Sequence, residues 1–273
     1  IGSMGGHMNR RQFCRSAVAA SIAASYPAAL LAEEAMSSVA AVTLDGKKIE
    51  LSRAAVRDFG ARLSGPVLLS RDSGYESARH IWNGMHDKHP ALIAQCTSND
   101  DVRHAVEFAG ANSLLTAVRG GGHSWPGKSV CDGGLMIDLS RMNQVKVDAK
   151  AQRAMVGGGA LLNGLDTAAL EHGLATTAGV VSHTGVGGYT LGGGFGRLNR
   201  KYGLAIDNLL SATIVTADGK VRRIDANTEP ELFWAIRGGG GNFGVVTGFE
   251  FQLHPFNRKV LSGNIVWPMS QVR

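Results

Sequence analysis

The chain predicts an α+β fold. Three observations lead there: a strand–helix–strand unit over residues 91–118, a run of strands and tight turns over residues 135–156, and three glycine clusters placed at the ends of such elements. Glycine loses more backbone freedom on folding than any other residue, so a run of it implies a place where bare backbone is required.

Ala91–Gln95 reads as an apolar strand. Ser98 or Asn99 can cap a helix beginning near Asp100, because a short polar side chain accepts a hydrogen bond from a free N–H of the first turn. Val102, Ala105, Val106 and Ala109 then recur at helical spacing, and Gly110 or Asn112 can end the helix. Leu114–Val118 is a second strand that runs straight into "RGGGH". Strand, helix and strand in this length imply a parallel pair joined by a crossover helix.

Further on, Leu135–Asp138, Gln144–Asp148 and Arg153–Val156 are strands separated by turns. "ALLNGLDTAALEHG" is an amphipathic helix with Gly173 at its C-terminal cap. "NLLSATIVTADGKVRRID" is a strand, an Asp218-Gly219 turn and a second strand. Pro230 opens a helix in "NTEPELFWAIRG", and "NFGVVTGFEFQLHP" is a final long strand.

With 273 residues the chain can form one large or two ordinary domains around a sizeable core. Its 44% hydrophobic and 18% charged residues are those of a globular protein. Glycine is the outlier: 37 residues is about twice the usual share, clustered and without a collagen-like period. Net charge is +6, but Arg10, Arg11 and Arg15 precede the first acidic residue, Glu33, and no dense basic run follows. Nucleic acid is therefore not an expected partner.

Residues 1–8 read as a cloning remnant and residues 9–32 as a twin-arginine export signal. Arg10 and Arg11 stand before an uncharged, alanine-rich stretch too weakly apolar to span a bilayer. Such a signal is read by a receptor and is no membrane anchor, so the expected location is periplasmic or extracellular. Residues 33–84 form an N-terminal extension with an entry helix. Cys14 lies in the leader; Cys96 and Cys131 remain, and neither a metal site nor a disulfide follows from their spacing. His80, His86 and His89 fall close together without a matching carboxylate or cysteine set, so they read as surface histidines and no metal is expected.

Successive backbone N–H groups in a tight turn form a concave nest for anions, and glycines let a phosphate approach. "VRGGGHS" can therefore cradle a pyrophosphate, with Arg119 adding charge or stabilising the loop. "GGGFGRLNRKYG" lacks the G-x-G-x-x-G spacing and no G-x-x-x-x-G-K-[ST] occurs, which argues against Rossmann and P-loop readings.

"AVRGGGHSWPGKSVCDGGLMIDLSRMNQVKVD", "GVVSHTGVGGYTLGGGFGRLNRKYGLAIDNLLSATIVTADG" and "ELFWAIRGGGGNFGVVTGFEFQLHP" together resemble the FAD-linked oxidases of the vanillyl-alcohol-oxidase type, in their berberine-bridge-enzyme-like branch. The resemblance runs from about Tyr75 to His254. It implies a PCMH-type FAD-binding domain over residues 85–255, made of two α/β subdomains (about 85–134 and 135–255). It also implies that residues 256–273 begin a C-terminal substrate domain largely absent from this chain.

The cofactor implied is FAD, with the pyrophosphate on Arg119, Gly120, Gly121, Gly122, His123, Ser124 and Gly127. His123 matches the histidine that bonds to the flavin 8α-methyl group. Thr184, Gly185, Gly187, Gly188, Gly193 and Gly194 would follow the flavin's edge, and Gly244 and Val246 would help enclose it. Some relatives carry a second flavin bond from a cysteine; Val181 stands at that position, so one covalent bond, through His123 only, is expected. His183 lies in the same segment, as a residue facing the flavin or as a structural histidine.

The activity implied is hydride transfer from an alcohol, sugar or related small organic substrate to flavin, with dioxygen reduced to hydrogen peroxide. The alternatives are a flavin-binding module without turnover and a dehydrogenase using another acceptor. The catalytic base is expected beyond Arg273, so none is assigned, and the oligomeric state is left open.

Overall fold

Two sheets frame the protein, one mostly parallel and one antiparallel. The computed structural model describes residues 38–256 and 265–271. The readings made for residues 1–32 lie outside it.

A hairpin of β1 (Ser38–Val42) and β2 (Lys48–Ser52) leads into α1 (Arg53–Ala61), whose first turn is capped by the Ser52 side chain. The first sheet contains β3 (Val67–Leu68), β4 (Leu92–Gln95), β5 (Thr116–Arg119) and β6 (Leu135–Asp138) in the order β3-β4-β6-β5. The short helix α2 (Tyr75–Arg79) precedes β4, and α3 (Asn99–Ala111) crosses from β4 to β5. Ser98 caps α3, its Oγ accepting from the Asp101 N–H at 3.1 Å, and Asn112 stands at the C-cap.

Here the sequence reading needs a correction. β4 and β5 are parallel but not paired: β6 enters between them and pairs with both. The second strand also starts two residues later than expected, because Leu114 bridges Thr43 and the Leu115 N–H donates to the Val42 carbonyl. The N-terminal hairpin claims those residues first.

The second sheet orders β7 (Val145–Asp148), β8 (Arg153–Gly157), β10 (Leu209–Val215), β11 (Val221–Asp225) and β12 (Val245–Gln252) as β11-β10-β12-β8-β7, all antiparallel. Gly219, at φ +74°, makes the β10–β11 turn. Helices α4 (Leu162–Leu170) and α7 (Pro230–Ile236) cover one face, burying Leu162, Leu165, Phe233 and Ile236 against Phe249, Phe251 and Ile214. Each such large apolar side chain contributes on the order of 2 kcal/mol by burial. Between α4 and β10 run β9 (Leu174–Ala175), α5 (Val186–Leu191), α6 (Asn199–Tyr202) and a single 3-10 turn (Ala205–Asn208), and β13 (His254–Pro255) pairs back on β9. The core beneath α3 takes Val102 and Ala105 from the helix, Leu92 and Ile137 from the first sheet, and Val215 and Val245 from the second.

Candidate functional site

The loop after β5 is built by closing backbone on backbone. A Cβ placed on Gly121 would lie 2.4 Å from the Gly185 Cα, and one on Gly185 would lie 2.3 Å from the Gly121 N. Only glycine at both positions lets the "RGGGH" loop and the entry to α5 touch. A third run, Gly157–Gly159, completes the junction: a Cβ on Gly120 or on Gly187 would press on the Gly158 carbonyl at 3.1 and 3.0 Å. Read from sequence, the strand ends at Val156 and this run is not singled out, yet it is the shared floor of both loops. Strand ends followed by paired glycines were the signal available for it.

Arg119 turns beneath its own loop. Its Nη1 lies 3.5 Å from the Asp138 Oδ2, and its Nη2 donates to the His80 carbonyl at 3.4 Å. Asp138 is fully buried and also accepts from the Gln95 Nε2 and from the Ser140 N–H and hydroxyl. Arg119 thus supports the loop from below, and its buried Nε has no hydrogen-bond partner among the described residues. Gly122 is left-handed at φ +66°, directly over that guanidinium.

His123 occupies the mouth of this junction. Its ring stacks on Trp82 at 4.4 Å between centroids and 16° between planes, and the His183 ring stands 5.0 Å away at 51°. The His123 Nε2 is buried and has no hydrogen-bond partner among the described residues. The loop is fastened outside: the Trp82 N–H donates to the Gly122 carbonyl at 2.9 Å, and Asn83 and His86 both reach the Trp125 carbonyl. Gly127, at φ +68°, has the His86 ring where a Cβ would go. Ser124 closes the turn by accepting from the Lys128 N–H at 3.0 Å.

The three clustered histidines therefore take separate tasks: His80 offers its carbonyl to Arg119, His86 holds Trp125, and the His89 N–H donates to Asp132. Among the described residues no group of three or more His, Cys, Asp or Glu side chains is placed to hold a metal ion.

The second cluster lies along α5. The Thr184 carbonyl accepts from the Leu162 N–H and the Val186 N–H donates to the Ala160 carbonyl, tying the segment to α4. Gly194 is packed against Ala205 and Tyr189. Gly188 and Gly193 differ: a Cβ on either meets nothing within 4 Å. The third cluster hooks onto the end of α5, where the Gly238 and Gly240 N–H groups both donate to the Leu191 carbonyl. Gly244, at φ +143°, packs on Val215 rather than on either loop, and the Val246 side chain is buried in the core while its carbonyl backs Gly158. Val181 is partly exposed. Cys96 and Cys131 are both buried and unpaired, and burial pushes the Cys131 thiol up to about 11.

Beneath α5, the Tyr189 hydroxyl is buried without a partner among the described residues, and Asp166 on α4 is pushed up to about 6 by burial. Neither was singled out in the sequence.

Bare glycine facing open space, an orphaned imidazole nitrogen and exposed aromatic rings at Trp125 and Phe195 fit a large ligand with a flat ring system and an extended polar tail. FAD is such a ligand.

The chain belongs to the FAD-linked oxidases of the PCMH-type, vanillyl-alcohol-oxidase superfamily. The FAD binding domain family matches residues 90–225. The chain is similar to (R)-6-hydroxynicotine oxidase of Paenarthrobacter nicotinovorans, with 45% identity over 208 residues, 76% of this chain and 45% of that enzyme. Among solved structures it is similar to BBE-like 1 of Physcomitrella patens, with TM-score 0.70, 32% identity and coverage of 73% of this chain and 44% of that one. It is also similar to the glucooligosaccharide oxidase of Acremonium strictum, an enzyme with a 6-S-cysteinyl, 8α-N1-histidyl FAD (TM-score 0.67, 34% identity, 73% and 42% coverage). The chain thus spans less than half the length of these relatives. No helix among the described residues is long and apolar enough to cross a membrane.

Proposed function

We propose that the protein oxidises a small organic substrate, an alcohol, a sugar or a related molecule, by hydride transfer to FAD, and that dioxygen takes up the electrons as hydrogen peroxide. Bound FAD supplies the two-electron acceptor; the chain supplies position and a low-dielectric setting. Gly120, Gly121 and Gly122, with Ser124 and Gly127, shape the loop for the pyrophosphate, and Arg119 holds that loop from beneath. Thr184, Gly185, Gly187, Gly188, Gly193 and Gly194 flank the ring system, and Gly244 and Val246 support the far side through the second sheet. Two subdomains meet at the glycine junction, the first running through β6 (Leu135–Asp138), which lies between β4 and β5, rather than ending near residue 134. The twin-arginine leader directs export of the loaded protein.

The observation that carries this reading is His123: a histidine at the meeting of two glycine loops, with a buried Nε2 that no atom of the described residues satisfies. A buried polar atom left unpaired costs about 1–3 kcal/mol, so it points to a partner outside the chain. We assign His123 as the single covalent attachment point, because Val181 offers no thiol where some relatives have one. In the test, the FAD-loaded protein and a His123→Ala variant are precipitated in acid and their flavin absorbance is followed. Flavin should stay with the wild-type pellet and leave the variant's. Flavin in both supernatants would refute the attachment while leaving FAD binding intact.

A further inference from the structure

We propose that Trp82 is a positioning residue for flavin attachment: its indole face fixes the plane of the His123 ring. This rests on the covalent reading above. A functional histidine is ordinarily oriented by a hydrogen bond on the ring nitrogen that does no chemistry. Among the described residues neither ring nitrogen of His123 has such a bond, and the ring is held by faces instead: Trp82 stacked at 4.4 Å and His183 tilted at 5.0 Å.

Trp82 can do this because it is itself tied to the loop. Its N–H donates to the carbonyl of Gly122, the residue before His123, and Asn83 and His86 bind the Trp125 carbonyl two residues after it. The segment from Trp82 to His86 is thus a strap across the attachment loop. The Trp82 side chain is 50% exposed. An indole left half in water makes little contribution to a core, whereas a face-to-face ring contact is the part of it that a histidine can use.

In attachment, one flavin 8α C–H bond would break, the lone pair of the unprotonated His123 ring nitrogen would form the new C–N bond, and the other ring nitrogen would give up its N–H proton. Both hydrogens and the electron pair reduce the flavin, and dioxygen reoxidises it, leaving as hydrogen peroxide. Ring orientation matters because the nitrogen lone pair must point along the new bond, and misalignment slows such a step without weakening binding.

The 273-residue chain, produced in riboflavin-starved cells so that it carries no flavin, is mixed with FAD in air as wild type, Trp82→Phe, Trp82→Leu and His123→Ala. Two quantities are followed: total flavin bound after desalting, and the share that stays on the denatured band by fluorescence. Trp82→Phe keeps an aromatic face and should attach flavin within about twofold of the wild-type rate, while Trp82→Leu should be roughly threefold to tenfold slower with total binding unchanged. A Trp82→Leu rate equal to that of Trp82→Phe would overturn the proposal. So would a covalent yield that falls only in step with total binding, since that is a structural role. Wild type indistinguishable from His123→Ala would instead sink the covalent reading itself, and this inference with it.

Discussion

Gly121 and Gly188 look alike in the sequence and do opposite things. A methyl on Gly121 or Gly185 would collide with opposing backbone, which has no side chain to move aside. Gly121→Ala and Gly185→Ala should each lower unfolding free energy by about 3 kcal/mol, the upper end for overpacking, and the double variant by less than the sum because both relieve one contact. Gly188 has a negative φ and open space, so Gly188→Ala should leave the flavin-free protein as stable or about 0.5–1 kcal/mol more so, and yet weaken FAD binding. Urea unfolding and a flavin titration check both halves. The runs themselves were legible as places needing bare backbone. Which members meet a neighbour and which meet a ligand was not, since Gly121 finds its partner 64 residues away.

Among the elements, α4 carries a charge effect that pH reveals. Burial pushes the Asp166 carboxyl up to about 6, and burial with the nearby Asp166 charge pushes the Tyr189 hydroxyl up to about 12. With the folded pKa above the unfolded one, the native protein binds the extra proton between about pH 4 and 6. Stability is therefore favoured below that window, falls as pH rises through it, and stays lower above. Asp166→Asn should match wild type near pH 4 and exceed it by about 1–2 kcal/mol at pH 8, as read by urea midpoints at the two pH values. Local signals made several elements readable: Ser98 for the start of α3, Gly173 after α4, Asp218-Gly219 for the β10–β11 turn. The β4-β6-β5 order was not readable, because a parallel neighbour is chosen by packing over α3 and not by any residue in the strands.

For the molecule as a whole, α3 is the joint. Its buried face meets both sheets, with Val215 and Val245 in the same cluster as Leu92 and Ile137. A core cluster that draws on both sheets predicts one cooperative transition. Circular dichroism and tryptophan fluorescence should give coincident urea curves for the flavin-free protein. Ala105→Leu, at a fully buried site on α3, should shift both by about 1–3 kcal/mol without separating them. Two resolved transitions would show that the sheets unfold independently. The glycine junction lies across the same joint, and this has a practical corollary for anyone who would evolve the protein. Residues 120–124 and 182–187 form a matched cassette, so a library randomising one stretch against a fixed partner should return mostly insoluble clones. Diversity placed at Val180, Val181 and Gly188, which face solvent, should be tolerated and should reach the ligand.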